Sequence, residues 1–102
     1  MALSLQVIYP IKDDTQFDMD YYKGKHFELV DQHMGPHIAS ALVTRGLAGG
    51  PDVPPPYYAV ATFTFADKVA LDAAMAAAGP VIADIANFTN TTPKMLVGEV
   101  LD

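Results

Sequence analysis

The chain has 102 residues, 51% of them hydrophobic, with twelve acidic side chains against six basic ones for a net charge of −6. That length fits one domain, residues 1–102, with no room for a separate cofactor domain, and the acidic balance without any Lys/Arg cluster argues against nucleic acid and anionic membranes as partners. The absence of cysteine excludes disulfides, thiolate metal sites and cysteine nucleophiles. The opening MALSLQVIYPIKDD has no basic region and only a short apolar run, so neither a secretory leader nor a membrane span is expected and a cytoplasmic location is the default.

Residues 3–9, LSLQVIY, alternate Leu3, Leu5, Val7 and Tyr9 against Ser4, Gln6 and Ile8, and Pro10 then removes a ladder donor, which predicts a first strand. A helix is predicted from about Asp18 to Met34. Asp18 is its N-cap, Asp20 is favourably placed in the first turn, and Gly35-Pro36 is the stop. Steps of about 100° per residue put Met19, Tyr22, His26, Leu29, Val30 and His33 on one stripe, with Phe27 and Met34 at its edge. IASALVTRGL, 38–47, is a β-prone run ended by Gly46, and the Pro- and Gly-rich AGGPDVPPP that follows is an exposed loop. PYYAVATFTF, 56–65, is a central strand with Tyr57, Ala59, Ala61, Phe63 and Phe65 on one face and Tyr58, Val60, Thr62 and Thr64 on the other. Asp67 caps an alanine-rich helix through Ala78, closed by Gly79-Pro80. VIADIANF continues as a second helical piece, and TPKMLVGEVL, 92–101, is the last strand.

The order strand, helix, strand, strand, helix, strand is that of a ferredoxin-like βαββαβ fold, an α+β architecture with a four-stranded antiparallel sheet and both helices on one face. The opposite face carries apolar residues on every strand, and leaving them wet costs roughly 25 cal/mol per Å². A homodimer through that sheet face, giving a dimeric α+β barrel, is the simplest cover.

His26 sits mid-stripe and points into the region between helix and sheet. An imidazole titrates near neutrality, so a partly desolvated one beside a pocket serves as general acid or base; the alternative is a core histidine satisfied by a carbonyl and a tyrosine hydroxyl. Tyr22, one turn earlier, lies on the same face and either shares a ligand oxygen with His26 or simply supplies buried area. Tyr21 falls well round the helix and is expected on its flank. Asp84, among Ile82, Ile85 and Phe88, either caps a backbone turn, the reading preferred on sequence, or orients a pocket group. Asp84 and Tyr58 are the candidate ligand contacts. His33 is about 10 Å from His26 along a helix axis, and Gly35-Pro36 interrupts the i, i+4 pair His33 and His37, so no metal site is expected. No phosphate-binding glycine loop, serine elbow or CxxC is present, so no cofactor is called for. What is left is proton transfer within a small apolar cavity, or binding alone.

The first strand ending IYP, the segment FDMDYYKGKH, TRG at 44–46, the strand YYAVATFTF and ADIANFTN at 83–90 together resemble the EthD family, named for a protein linked to bacterial ethyl tert-butyl ether degradation. The likeness runs over nearly the whole chain, and FD-x-x-YY-x-x-x-H is its most specific part. The resemblance implies a ferredoxin-like monomer and a dimeric α+β barrel. Similar barrels include methylmuconolactone isomerases and polyketide cyclases that use His and Tyr between helices and sheet. It carries a functional role onto His26 and Tyr22, with Asp84 at the acidic position of Asp-Ile-x-x-Phe. The activity it implies is a cofactor-independent isomerase or cyclase acting on a small hydrophobic or phenolic metabolite. The alternative is a non-catalytic binding or accessory protein of a catabolic oxidation pathway.

Overall fold

The structure is a computed structural model and describes residues 1–101. Strand β1 (Leu3–Pro10) lies between β3 (Tyr57–Phe65) and β4 (Lys94–Glu99), and β2 (Ser40–Arg45) pairs with the outer side of β3, giving the order β2-β3-β1-β4 with every neighbour antiparallel. This is the ferredoxin-like arrangement expected from the order of elements. The period-2 alternation does its work on the two central strands: Leu5, Val7 and Tyr9 on β1 and Ala59, Ala61, Phe63 and Phe65 on β3 are all buried beneath the helices.

Several boundaries differ from the sequence reading. The first helix is not one continuous α-helix. It opens as α1 (Met19–Tyr21), widens into a π-helical turn over Tyr22–His26, and resumes as α2 (Phe27–His33), followed by a 3₁₀ turn at Gly35–His37. The second strand is shorter than 38–47, because the chain is still leaving the 3₁₀ turn at Ile38 and Gly46 ends the ladder. Gly79-Pro80 does not close the second helix. That helix, α3 (Lys68–Ala76), ends earlier, and Gly79-Pro80 opens α4 (Gly79–Asp84), where proline's missing N–H costs nothing in a first turn. The two expected caps are in place: the Asp18 carboxylate accepts from the Tyr21 amide at 3.1 Å, and Asp67 accepts from the Ala70 amide at 2.9 Å.

The helices meet the sheet through Tyr22, Val30, Met34, Leu71, Ala74 and Val81, all buried. Ala59 and Ala61 lie beneath the first helical segment, and their small side chains leave room over the sheet at that point. At one end of the sheet the β1–β3 register slips: Tyr9 opposes Ala59 while Pro10 opposes Tyr57, so Tyr58 is the extra residue of a bulge. The face away from the helices carries one aliphatic side chain per strand, Ile8, Leu42, Val60 and Leu96, with Leu42 66% and Leu96 56% exposed. Among the described residues no single helix is long and apolar enough to cross a membrane.

Candidate active site

The site is built where the widened turn faces α4. In a regular α-helix, residues five apart diverge by about 140° at 100° per residue, which would send Tyr21 and His26 to different faces. A π turn spreads its residues over a wider circle, closing i to i+5, and so turns both side chains toward one neighbour. That neighbour is Asp84, 7% exposed at the end of α4. Tyr21 donates its hydroxyl to Asp84 Oδ1 at 2.7 Å, Asn87 donates Nδ2 to the same oxygen at 3.0 Å, and His26 Nδ1 lies 3.0 Å from Asp84 Oδ2. One buried carboxylate therefore has three side-chain partners, two from the first helical segment and one from its own.

Burial pushes the Asp84 carboxyl up, but the hydrogen bonds from Asn87, Tyr21 and His26 outweigh it and hold the group below the usual carboxylate range, so it is ionised at neutral pH. Burial pulls the His26 imidazole below its ordinary value, and the Asp84 hydrogen bond and charge only partly oppose this. A neutral His26 beside an ionised Asp84 has one arrangement that satisfies both: Nδ1–H donates to Oδ2, leaving the Nε2 lone pair free. Nε2 has no hydrogen-bond partner among the described residues, and His26 lines an internal cavity. The Tyr21 phenol is pushed up, first by its hydrogen bond to Asp84, and remains a donor.

Aromatic rings fix the imidazole. Tyr22 stacks on it with centroids 5.6 Å apart and planes at 19°, Phe88 approaches to 4.6 Å, and Phe27 meets it edge-on at 5.8 Å. Tyr22 is 1% exposed, its hydroxyl has no hydrogen-bond partner, and burial pushes its pKa well above the ordinary phenol value, so it keeps its proton. Both Tyr22 and His26 border a cavity of about 40 Å³ whose walls are otherwise aliphatic and aromatic, among them Val7, Ala61, Phe63 and Val81. Met75, Ile82 and Met95, each partly exposed, line it as well and form its outer rim. The space holds a few water-sized occupants, and the unbranched methionines at the rim are the side chains best suited to enlarge it.

The structure brings His26, Tyr22 and Asp84 together, but Asp84 orients the imidazole and caps no backbone turn. Tyr21 is not a flank residue; its hydroxyl is on the same carboxylate. Asn87 was not singled out by sequence, although Asp-x-x-Asn spacing at a helix end puts the two side chains one turn apart. Tyr58 does not line the cavity. The bulge aims it at the turn before the first helix, where its hydroxyl lies 2.7 Å from Thr15 Oγ1 and its ring stacks on Phe17 at 5.2 Å. His33 and His37 lie outside the cluster.

The profile of the EthD domain matches residues 13–92. The crystal structure of an EthD-like protein from Ralstonia eutropha has 31% sequence identity and a TM-score of 0.87, covering 99% of this chain and 93% of that one. SnoaB, a cofactor-independent oxygenase from Streptomyces nogalater, has 10% identity and a TM-score of 0.69 over 99% and 94% of the two chains. A dimeric ferredoxin-like protein of unknown function from Thermobifida fusca has 12% identity and a TM-score of 0.65 over 98% and 92%. The last two likenesses concern the fold. None of the curated proteins matches. With its profile spanning most of the chain and a 31% identical EthD-like structure aligned almost end to end, the protein belongs to the EthD family.

Proposed function

We propose that this protein is a cofactor-independent isomerase- or cyclase-type enzyme acting on a small hydrophobic or phenolic metabolite in the pocket between the first helical segment and the sheet. The observation that carries the reading is the His26–Asp84 pair, with Nδ1 committed to a buried carboxylate, Nε2 without a hydrogen-bond partner among the described residues, and the residue itself lining an apolar cavity. Such an imidazole takes a proton from a carbon acidified by an adjacent carbonyl, and Asp84 stabilises the imidazolium that forms. The Tyr22 hydroxyl, still protonated and without a partner, donates to the oxyanion that develops. His26 then returns the proton to another carbon of the same molecule, so the reaction is redox-neutral and balanced. SnoaB, which has the same fold, is a cofactor-independent oxygenase; its reaction class differs, and it supports only the reading that this fold can host chemistry without a cofactor.

The test is an assay on lactones and phenolic polyketide-like substrates with His26→Gln and Asp84→Asn. Loss of roughly 10²-fold or more in kcat for each variant is expected; unchanged turnover in His26→Gln would sink the proposed base. A second reading is favoured by the small volume of the cavity, well below the roughly 300 Å³ of ordinary ligand pockets. In it the protein is a non-catalytic carrier that opens only around an apolar intermediate, and a ligand recovered chemically unchanged after long incubation would support it. In either role the protein works as a homodimer through the sheet face that the helices leave open, as the dimeric Thermobifida fusca protein of the same fold suggests.

A further inference from the structure

Tyr22 is a wall of two spaces. On one side is the cavity beside His26; on the other is a surface groove of about 250 Å³ between β2 and the first helical segment, lined by Met19, Tyr22, Lys23, Val43, Arg45 and Ala59. Register places this groove on the helix side of the sheet: Arg45 opposes Ala59, and Val43 opposes Ala61, both buried under the helices. The two spaces share a floor of small side chains, Ala59 under the groove and Ala61, two residues on, under the cavity.

The groove's charge is unusual for this chain. Arg45 is the only arginine in a protein of net charge −6, and it forms no ion pair or side-chain hydrogen bond among the described residues. Lys23, the second cation, reaches Asp20 only at 3.9 Å, with both side chains largely exposed, which leaves it available to another anion. Thr44 borders the groove as well, and the remainder is apolar: a methionine, a valine, an alanine and a tyrosine. A planar guanidinium at one end of an apolar trough matches a carboxylate on an apolar body.

We propose that this groove is the anion-binding entrance of the His26 site, and that the ligand is a small apolar acid whose carboxylate is held by Arg45 and Lys23. The apolar end runs over Ala59 and Ala61 toward the cavity, along the Tyr22 wall that the two spaces share. Most of the ligand then lies in the groove, which reconciles a small internal cavity with a metabolite-sized partner. The inference deepens the reading of His26 as the working group and rests on it for what happens at the inner end.

The test compares 3-phenylpropanoate with 3-phenylpropanamide, a neutral probe of the same shape, by calorimetry and by NMR of the Ala59 and Ala61 methyl groups. The acid is expected to bind about tenfold more tightly than the amide. Arg45→Gln together with Lys23→Gln should abolish that preference, Arg45→Lys alone should keep part of it, and Ala59 and Ala61 should both shift on binding. Equal binding of acid and amide, a protein carrying both Arg45→Gln and Lys23→Gln that still prefers the acid, or absence of acid binding would each overturn the proposal. Both measurements are made without turnover and can be repeated in His26→Gln. A failed base assay with acid preference intact removes only the reaction, and the converse result removes only the carboxylate.

Discussion

Tyr22 illustrates how a single residue is tuned against stability. Its ring contributes to the core through contacts with Tyr9, Phe17 and Phe88, while its hydroxyl is buried without a partner. A buried, unsatisfied hydroxyl costs about 1–3 kcal/mol, a penalty that an incoming ligand oxygen would lift. Tyr22→Phe keeps the ring and removes the cost, so thermal denaturation of the ligand-free protein should show a gain of about 1 kcal/mol, with turnover depressed. A variant that is both less stable and fully active would show the hydroxyl to be structural. His26 and Asp84 give the same opposition a pH dependence. Both groups titrate lower in the folded protein than their ordinary values of 6.5 and 3.8, so the unfolded chain binds more protons as the solution is acidified. The stability is complete above about pH 6.5; it falls first as His26 must charge, and again below pH 3.8 as Asp84 loses its ionised form. In His26→Gln the upper step should vanish from a plot of melting temperature against pH and the lower one persist; a wild-type curve that stays flat from pH 7 down to 4.5 would contradict the depressed imidazole.

The widened turn is the element that converts a helix into a site. In YKGKH the one poor helix former is Gly24, yet space around it is open: a Cβ built there meets nothing within 4 Å. The turn is therefore held by Tyr21 and His26 on Asp84, not by the backbone freedom of glycine. On that account Gly24→Ala should leave activity intact and raise stability by about 0.5–1 kcal/mol by restricting the unfolded chain. A loss of stability in this variant would mean that the π turn requires glycine. The same turn explains where the sequence was readable and where it was not. Strand alternation and the Asp18 and Asp67 caps are local signals, and they located every element of the sheet and the start of two helices. The stripe of Tyr22, His26 and Val30 was legible because those residues keep i, i+4 spacing. Tyr21 was not, because steps of 100° presuppose an unbroken α-helix and give it the wrong face. Gly79-Pro80 fits a helix stop and a helix start equally well, and only the packing of α4 distinguishes them. Tyr58 was lost to a bulge, since one extra residue re-aims a side chain without leaving any mark in the hydrophobic pattern.

At the scale of the whole molecule, shape and surface support the proposed homodimer. The chain is a slab with principal extents of 39 × 32 × 18 Å, two layers thick, with one layer of helix on one layer of sheet. The sheet's other face is flanked by Leu42 on one edge strand and Leu96 on the other, and between them Gln6 donates to Thr62 at 3.3 Å across the central pair. A Gln–Thr bond in the middle of the face ties two of its polar side chains to each other, while the aliphatic edges gain by being taken out of water. Two such faces stacked about a two-fold axis bury all four leucines at once, because a self-complementary interface uses each residue twice. Replacing Leu42 and Leu96 together by Glu puts four like charges into that interface and leaves the helix-side core untouched. Sedimentation should then report a monomer for the double variant and a dimer for the wild type, with far-UV circular dichroism unchanged. Arg45 and the groove beside Tyr22 lie on the helix side, so the monomeric variant should keep any acid binding the wild type has. A wild-type protein that sediments as a monomer at micromolar concentration would refute this use of the open sheet face.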